Sequence, residues 1–357
     1  MRATRVELKL SALRHNLQMA RRAAPHSRIM AAIKADGYGH GMVRVARALG
    51  AATDALAVAS IGEAVALREA GIETPIALLE GFFHADELAL IQQHRVTTVV
   101  HHHEQLAMLE QAPLNTPVQV WLKVDSGMHR LGFLPEHVQE AWARLGRIAG
   151  VKRLGFLTHL ANADDRSDPA TTRQLQAFAE ATVGLEGLRS VANSAGVLGW
   201  PASHTEWARP GIMLYGVSPF VGRVGMQEGL EPVMTLRSEL IAVNHLKRGF
   251  PVGYGGTWTC PEDMPVGVVA AGYGDGYPRH ARTGTPVLVN GKRVPLIGRV
   301  SMDMLTVDLR SQPDARVGDP VVLWGDELPV EEVAECAGTI AYTLLCGITP
   351  RVARVEI

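Results

Sequence analysis

From about residue 28 to about residue 215 the chain repeats one unit: a short apolar run, then a longer stretch whose apolar positions follow helical spacing. The runs are Arg28–Ile33, Ala55–Ala59, Ile76–Leu79, Thr97–Val100, Val118–Val124, Arg153–Leu157, Arg189–Ala192 and Gly211–Leu214. Between them Met42–Leu49, Gly62–Ala70, Asp86–His94, Glu104–Glu110, Pro135–Leu145 and Pro169–Val183 read as amphipathic helices, with Asn193–Gly199 as a weaker one. Strands that alternate with helices form parallel βαβ units, because a parallel neighbour requires a crossover. About eight repeats point to a (β/α)8 TIM-type barrel, although an open doubly wound sheet shows a similar alternation.

After about residue 229 the texture changes to short β-type runs broken by Gly and Pro: Met234–Val243, Val266–Ala271, Pro286–Val289, Leu305–Leu309 and Pro320–Leu323, with one short helix at Val330–Ala337. Evenly spaced runs with turn signals indicate a mostly β domain. The expected division is therefore 1–229, an α/β barrel, and 230–357, a β-rich C-terminal domain.

Hydrophobic residues make up 47% of the chain, enough for a core of that size, and the formal net charge is -1. A balanced charge gives no electrostatic case for nucleic acid or an anionic membrane. The cysteines, Cys260, Cys336 and Cys346, are odd in number and widely spaced, which suggests neither a disulfide framework nor a zinc knuckle. With no signal-peptide pattern and no long apolar span, a soluble cytoplasmic protein is expected. The triplet His101–His102–His103 invites a metal reading, but adjacent side chains at a helix start diverge, so no metal is expected. Asp125 and Asp275 read as turn residues.

In a barrel, reactive groups collect where strands end. The first run closes on Lys34, followed by Ala35–Asp36–Gly37–Tyr38–Gly39–His40–Gly41. A lysine partly withdrawn from water at that place becomes a better nucleophile and base. The ordinary alternative is a lysine snorkelling to the surface. The fifth run carries Lys123 and leads to Arg130, the sixth ends at His159, the seventh runs into Ser194, and Arg209, Gly211 and Ile212 belong to the eighth region. Loops after the seventh and eighth strands often cradle phosphate, a role that suits Ser194, Gly211 and Ile212. A lysine, a phosphate cradle and two arginines at one mouth favour a phosphorylated cofactor bound through an imine.

The stretches AAIKADGYGHG (Ala31–Gly41), WLKVDSGMHRLG (Trp121–Gly132), ANSAGVLGWP (Ala192–Pro201), ARPGIMLYG (Ala208–Gly216), VGYGGTW (Val252–Trp258), GYGDGYPR (Gly272–Arg279), GRVSMDML (Gly298–Leu305) and AYTLLC (Ala341–Cys346) together resemble the alanine racemases. They span nearly the whole chain. The resemblance implies pyridoxal 5'-phosphate on Lys34. It implies that Tyr38, Ser194, Gly211, Ile212 and Tyr342 hold the phosphate and that Arg209 faces the pyridine nitrogen. Arg130 and the backbone N–H of Met302 would hold the substrate carboxylate. Tyr254 would be the second base, supported by His159, itself linked to Arg209. In this family Tyr254, Met302 and Asp303 come from the partner subunit, which implies a homodimer with shared active sites. The lysine matching Lys123 is often carbamylated and then orients the arginine.

Two other readings stand beside this one. A decarboxylase of basic amino acids shares the scaffold, but it should carry a carboxylate in place of Arg209 and a cysteine near the substrate. A non-catalytic binder of the cofactor should lack the β domain. A serine or broader-range racemase is harder to separate by sequence.

Overall fold

The computed structural model describes residues 3–357. Eight parallel strands form the first unit: β2 (Arg28–Ala32), β3 (Ala55–Val58), β4 (Ile76–Leu78), β5 (Thr98–Val100), β6 (Val118–Lys123), β7 (Val151–Leu157), β8 (Leu188–Ser190) and β9 (Trp207–Ala208), after β1 (Arg5–Leu8) at the start of the chain. Their order is β4-β3-β2-β9-β8-β7-β6-β5. A parallel bridge between Ala77 and Thr97 joins β4 to β5 and closes the ring. This closure settles the choice against an open sheet.

The first seven runs lie where the strands are, to within two residues at most ends. The eighth does not. Gly211–Leu214 is no strand: Ile212–Tyr215 forms a 3-10 turn, and the eighth strand is the two-residue Trp207–Ala208. Pro210 stops that strand at once, because it has no N–H to give to a ladder. The apolar residues after Gly211 then pack inward as a turn, with Ile212, Met213, Leu214 and Tyr215 all buried.

The second unit is an antiparallel sheet built on the long strand β10 (Met234–Leu246). After the two-residue pair β11 (Pro251–Val252) and β12 (Trp258–Thr259) come β13 (Met264–Val269), β14 (Pro286–Val289), β15 (Lys292–Ile297), β16 (Leu305–Asp308), β17 (Pro320–Trp324) and β18 (Ala353–Glu356). β10 pairs with β1 and β17 through its first half and with β13 through its second, so the sheet curls back on itself. A register shift between Leu240 and Ala242 marks the bend, as β-bulges do.

β1 lies antiparallel to β10 and parallel to β18, so the chain begins in the second sheet before it enters the barrel. Helix Leu10–Ala23 follows directly and packs its buried face, Leu13, Leu17 and Ala20, against the barrel's outer layer. One apolar core runs through both units. Glu331, from the helix Val330–Cys336, accepts hydrogen bonds from Ser218 and Gly225 N–H (both 2.9 Å) and ties the units together. No helix among the described residues is long and apolar enough to cross a membrane.

Candidate active site

Lys34 stands just past β2, where the backbone does something rare. Ala35, Asp36, Gly37 and Tyr38 all have φ between 51° and 62°, a turn of left-handed helix. For residues with a Cβ this costs about 1–2 kcal/mol each, so the surroundings must hold it. Glu63 does so from the next crossover: one carboxylate oxygen accepts from Ala35 N–H (2.8 Å) and the other from Ala59 N–H (2.7 Å). Asp36 accepts from Met42 N–H (2.8 Å) and starts the following helix. His40 Nδ1–H lies 3.0 Å from Gly37 O and 2.9 Å from Tyr38 O, so it donates to carbonyls that the turn exposes. At Gly39 a Cβ would stand 2.0 Å from Leu345 O, so only glycine lets the turn press against helix Ala341–Cys346. That contact brings the Tyr342 ring to 6.1 Å from Tyr38.

The turn aims Lys34 across the C-terminal mouth of the barrel, where its Nζ meets Glu80, just beyond β4, at 3.4 Å. Tyr38 is stacked on Tyr215 at 4.6 Å, and its phenol reaches the turn after β9: a Cβ on Gly211 would come within 2.5 Å of Tyr38 Oη. Ser194 opens the helix Ser194–Gly199, and its hydroxyl accepts from Gly211 N–H (2.8 Å) and Met213 N–H (3.3 Å). Ile212 is buried between those two amides. The Ser194 oxygen is taken by those two amides, so its hydroxyl proton stays available, and with the Tyr38 phenol it gathers around a residue without a side chain. Hydroxyl donors of this kind suit a phosphate group.

The other strand ends bring cations. Arg209 is only 5% exposed and donates to Ser190 Oγ (2.5 Å), Val191 O (3.3 Å) and Thr158 O. Burial alone lowers its pKa to about 10. Lys123, at the end of β6 and 7% exposed, has its pKa lowered to about 7 by burial first, then by the charges of Arg209 and Arg130. Burial and the Arg209 charge hold His159 well below the ordinary histidine range, which keeps its imidazole neutral. His159 and Arg209 are therefore neighbours in charge, but among the described residues no hydrogen bond joins them; Arg209 bonds instead to the carbonyl of Thr158. Arg130 is exposed, on a loop pinned by Asp125, whose Oδ1 accepts from Gly127, Met128 and His129 N–H.

Lys34, Tyr38, Lys123, Arg130, His159, Ser194, Arg209, Gly211, Ile212 and Tyr342 thus lie at one mouth. Tyr254, Met302 and Asp303 do not join them within the chain. Tyr254 is 66% exposed in a short turn after β11, and Met302 is 53% exposed after β15. Met302 O accepts from Gly274 N–H (2.8 Å), and Asp303 pairs with Arg351 at 2.8 Å. Arg351 also binds Asp275, which caps its own turn through Gly272 N–H.

Sequence reasoning passed over Glu80, Glu63, His40 and Tyr215. Glu80 obeyed the same strand-end logic that found Lys34. Tyr215 sits in the turn that had been read as a strand. The histidine triplet does fan out: His101 Nε2 lies 3.1 Å from Glu80 O, His102 caps its helix, and His103 packs edge-on to Phe133.

Fold and site define the class: a closed parallel barrel with a lysine-bearing polar mouth, followed by an antiparallel domain that continues the same core. Family models of the alanine racemase N-terminal domain and C-terminal domain match residues 8–219 and 233–356. The chain belongs to the alanine racemase family. It is 59% identical over 354 residues to an alanine racemase of Halorhodospira halophila, covering 99% of this chain and 97% of that one. An alanine racemase of Vibrio cholerae is 55% identical, with 99% and 98% covered. The crystal structure of the biosynthetic alanine racemase from Pseudomonas aeruginosa matches with a TM-score of 0.98 at 47% identity over the whole of both chains.

Proposed function

We propose that this chain racemises L- and D-alanine with pyridoxal 5'-phosphate, using Lys34 on one face of the substrate and the partner subunit's Tyr254 on the other. The observation that carries the reading is the single mouth that joins Lys34 to the cradle of Tyr38, Ser194 and Gly211 under buried cations. Those donors fit the phosphate of the cofactor, and Arg209 is the group for its ring nitrogen. When bound, pyridoxal phosphate supplies an electron sink that acidifies the substrate Cα–H.

Racemisation removes a proton from one side of Cα and returns one to the other. A single base returns it where it came from, so two are required. Lys34 Nζ takes or gives the proton on its face, and the Tyr254 phenol does so on the opposite one. A free phenol, with a pKa of about 10, is a weak base at neutral pH; the N–H of the neutral His159 imidazole is the donor proposed to stabilise its phenolate. Arg209 does not readily give up a proton, so it keeps a facing nitrogen unprotonated and the electron sink weak. Return of the proton then outcompetes side reactions. Arg130 offers a planar fork to the substrate carboxylate, and Met302 N–H is its proposed second donor. Tyr342 and Tyr254 would narrow the entrance, which favours alanine over larger side chains.

Lys123 fits a carbamate. A buried amine with its pKa lowered to about 7, amid Arg209, Arg130 and Lys34, has a free electron pair and a cationic surround. Attack on carbon dioxide forms the N–C bond and releases one proton, leaving an anion to orient Arg130. A well-resolved map showing an unmodified amine at Lys123 would count against this.

The units proposed to meet across the site are 1–229, with Lys34, and 230–357, with Tyr254 and the supporting Asp303, in a cytoplasmic homodimer that binds no nucleic acid. Mixing an inactive Lys34→Ala chain with an inactive Tyr254→Phe chain tests the shared site: hybrid dimers regain part of the turnover. Mixtures that exchange subunits yet stay inactive would defeat the shared site. A yellow protein that leaves both enantiomers of alanine unchanged would defeat the enzymatic reading and favour a cofactor binder.

A further inference from the structure

The barrel has a second mouth, at the end where its strands begin. Barrel interiors are normally filled by layers of bulky branched side chains. Here the strand starts carry Ala55 and Ala77 beside Met30, opposite the indoles of Trp121 and Trp207, and a cavity of about 430 Å³ remains among them. The two indoles meet edge to face at 6.4 Å.

One observation distinguishes this space from a packing void. Arg28 stands at the rim with its guanidinium 5.7 Å from the Trp207 ring and forms no ion pair among the described residues. The neighbouring carboxylate, Asp54, is taken by Arg21 (3.0 Å) and Ile29 N–H (2.8 Å). An aromatic wall and a cation without an ion pair therefore meet at one opening. We propose that this mouth is a second ligand site, taking a small planar aromatic carboxylate whose ring enters the cavity between the indoles and whose anion binds Arg28. Met30 on its wall lies four residues before Lys34 along the chain, which at about 3.3 Å per residue places the two mouths about 13 Å apart. The site is thus separate from the racemase chemistry.

The test is calorimetric titration of the holoenzyme with 2-naphthoate in equilibrated DL-alanine, which occupies the catalytic mouth. One saturable site per chain is expected. Arg28→Gln should weaken it tenfold or more and Trp207→Phe several-fold, with racemase rates unchanged in both. 2-Naphthylmethanol, which lacks the charge, should bind at least tenfold more weakly than 2-naphthoate. The proposal fails if no saturable heat appears, if both variants bind as the parent does, or if binding is competitive with alanine. Should Trp207→Phe fold poorly, Arg28→Gln on the exposed rim decides the question alone.

Discussion

The residues proposed for the site from the barrel and those proposed from the β domain are built in opposite ways. Lys123 and Arg209 are 7% and 5% exposed, and their neighbours hold them by burial and charge. Tyr254 and Met302 are 66% and 53% exposed, on turns of the second sheet. One chain can thus preorganise the half that grips a cofactor, because those groups are locked by their own core. The other half faces water. The proposed partner contact is what would remove that water and complete the second face. The contrast is also one of backbone: the barrel half depends on a strained left-handed turn, whereas the proposed β half would rely on exposed turns and a main-chain amide.

Removing the anchor of the buried half gives the largest effect. Lys34→Ala should lose the cofactor's imine absorbance and lower turnover by about 10³-fold or more, since it deletes a base and the covalent tether together. Absorbance spectra and rotation assays on the same sample check both; retained turnover would break the assignment. Tyr254→Phe should keep the colour and slow racemisation by about 10²–10⁴-fold, the range for loss of one general acid–base group. The solvent-isotope effect on proton return should change most in the direction that uses the tyrosine face. Near-normal rates in both directions would remove the β domain from the chemistry.

These two assignments also show where sequence reasoning reached. Lys34 stands out because it closes an apolar run at a strand end ahead of three glycines, but position alone equally suits a lysine snorkelling to the surface, and the family resemblance is what carries its proposed role. Most of the barrel was legible because each strand's partners are its sequence neighbours, so the local pattern reports the fold. The eighth strand was not, because two residues before a proline make no pattern, while the buried 3-10 turn after Gly211 makes a false one. β1 was invisible, since its partners Met234–Arg237 and Ala353–Glu356 lie more than 200 residues away. No local rule signals four consecutive left-handed residues starting at Ala35, and Glu63 and His40 acquire their purpose only from that turn. Tyr254 had no residue-level signal either; its role came with the family resemblance.

A smaller effect concerns how the buried half responds to acid. His40 is fully enclosed, its Nε2 lacks a partner, and burial lowers its pKa to about 4. The unfolded chain takes up that proton near pH 6.5, before the folded one does. Folding stability from this group is therefore complete above pH 6.5 and is lost as pH falls toward 4, by about 3 kcal/mol at 1.36 kcal/mol per pKa unit. Urea unfolding at fixed protein concentration should show this slope, and His40→Gln should remove that share of it. An unchanged slope in the variant would mean that the strained turn does not depend on a neutral imidazole.

The smallest effect separates the two halves most cleanly. Ser194→Ala removes the hydroxyl that accepts from Gly211 and Met213 N–H, at a cost of about 1 kcal/mol for one hydrogen-bonding group. If that hydroxyl binds the phosphate, cofactor affinity should fall by about fivefold, read from absorbance during dialysis, with the catalytic bases untouched. Met302→Ala should leave cofactor affinity unchanged, because its proposed contribution is a main-chain N–H on the other face of the site. Equal losses in both variants would mean that the exposed half shares in holding the cofactor, and the division of labour between a locked barrel and a borrowed β surface would have to be redrawn.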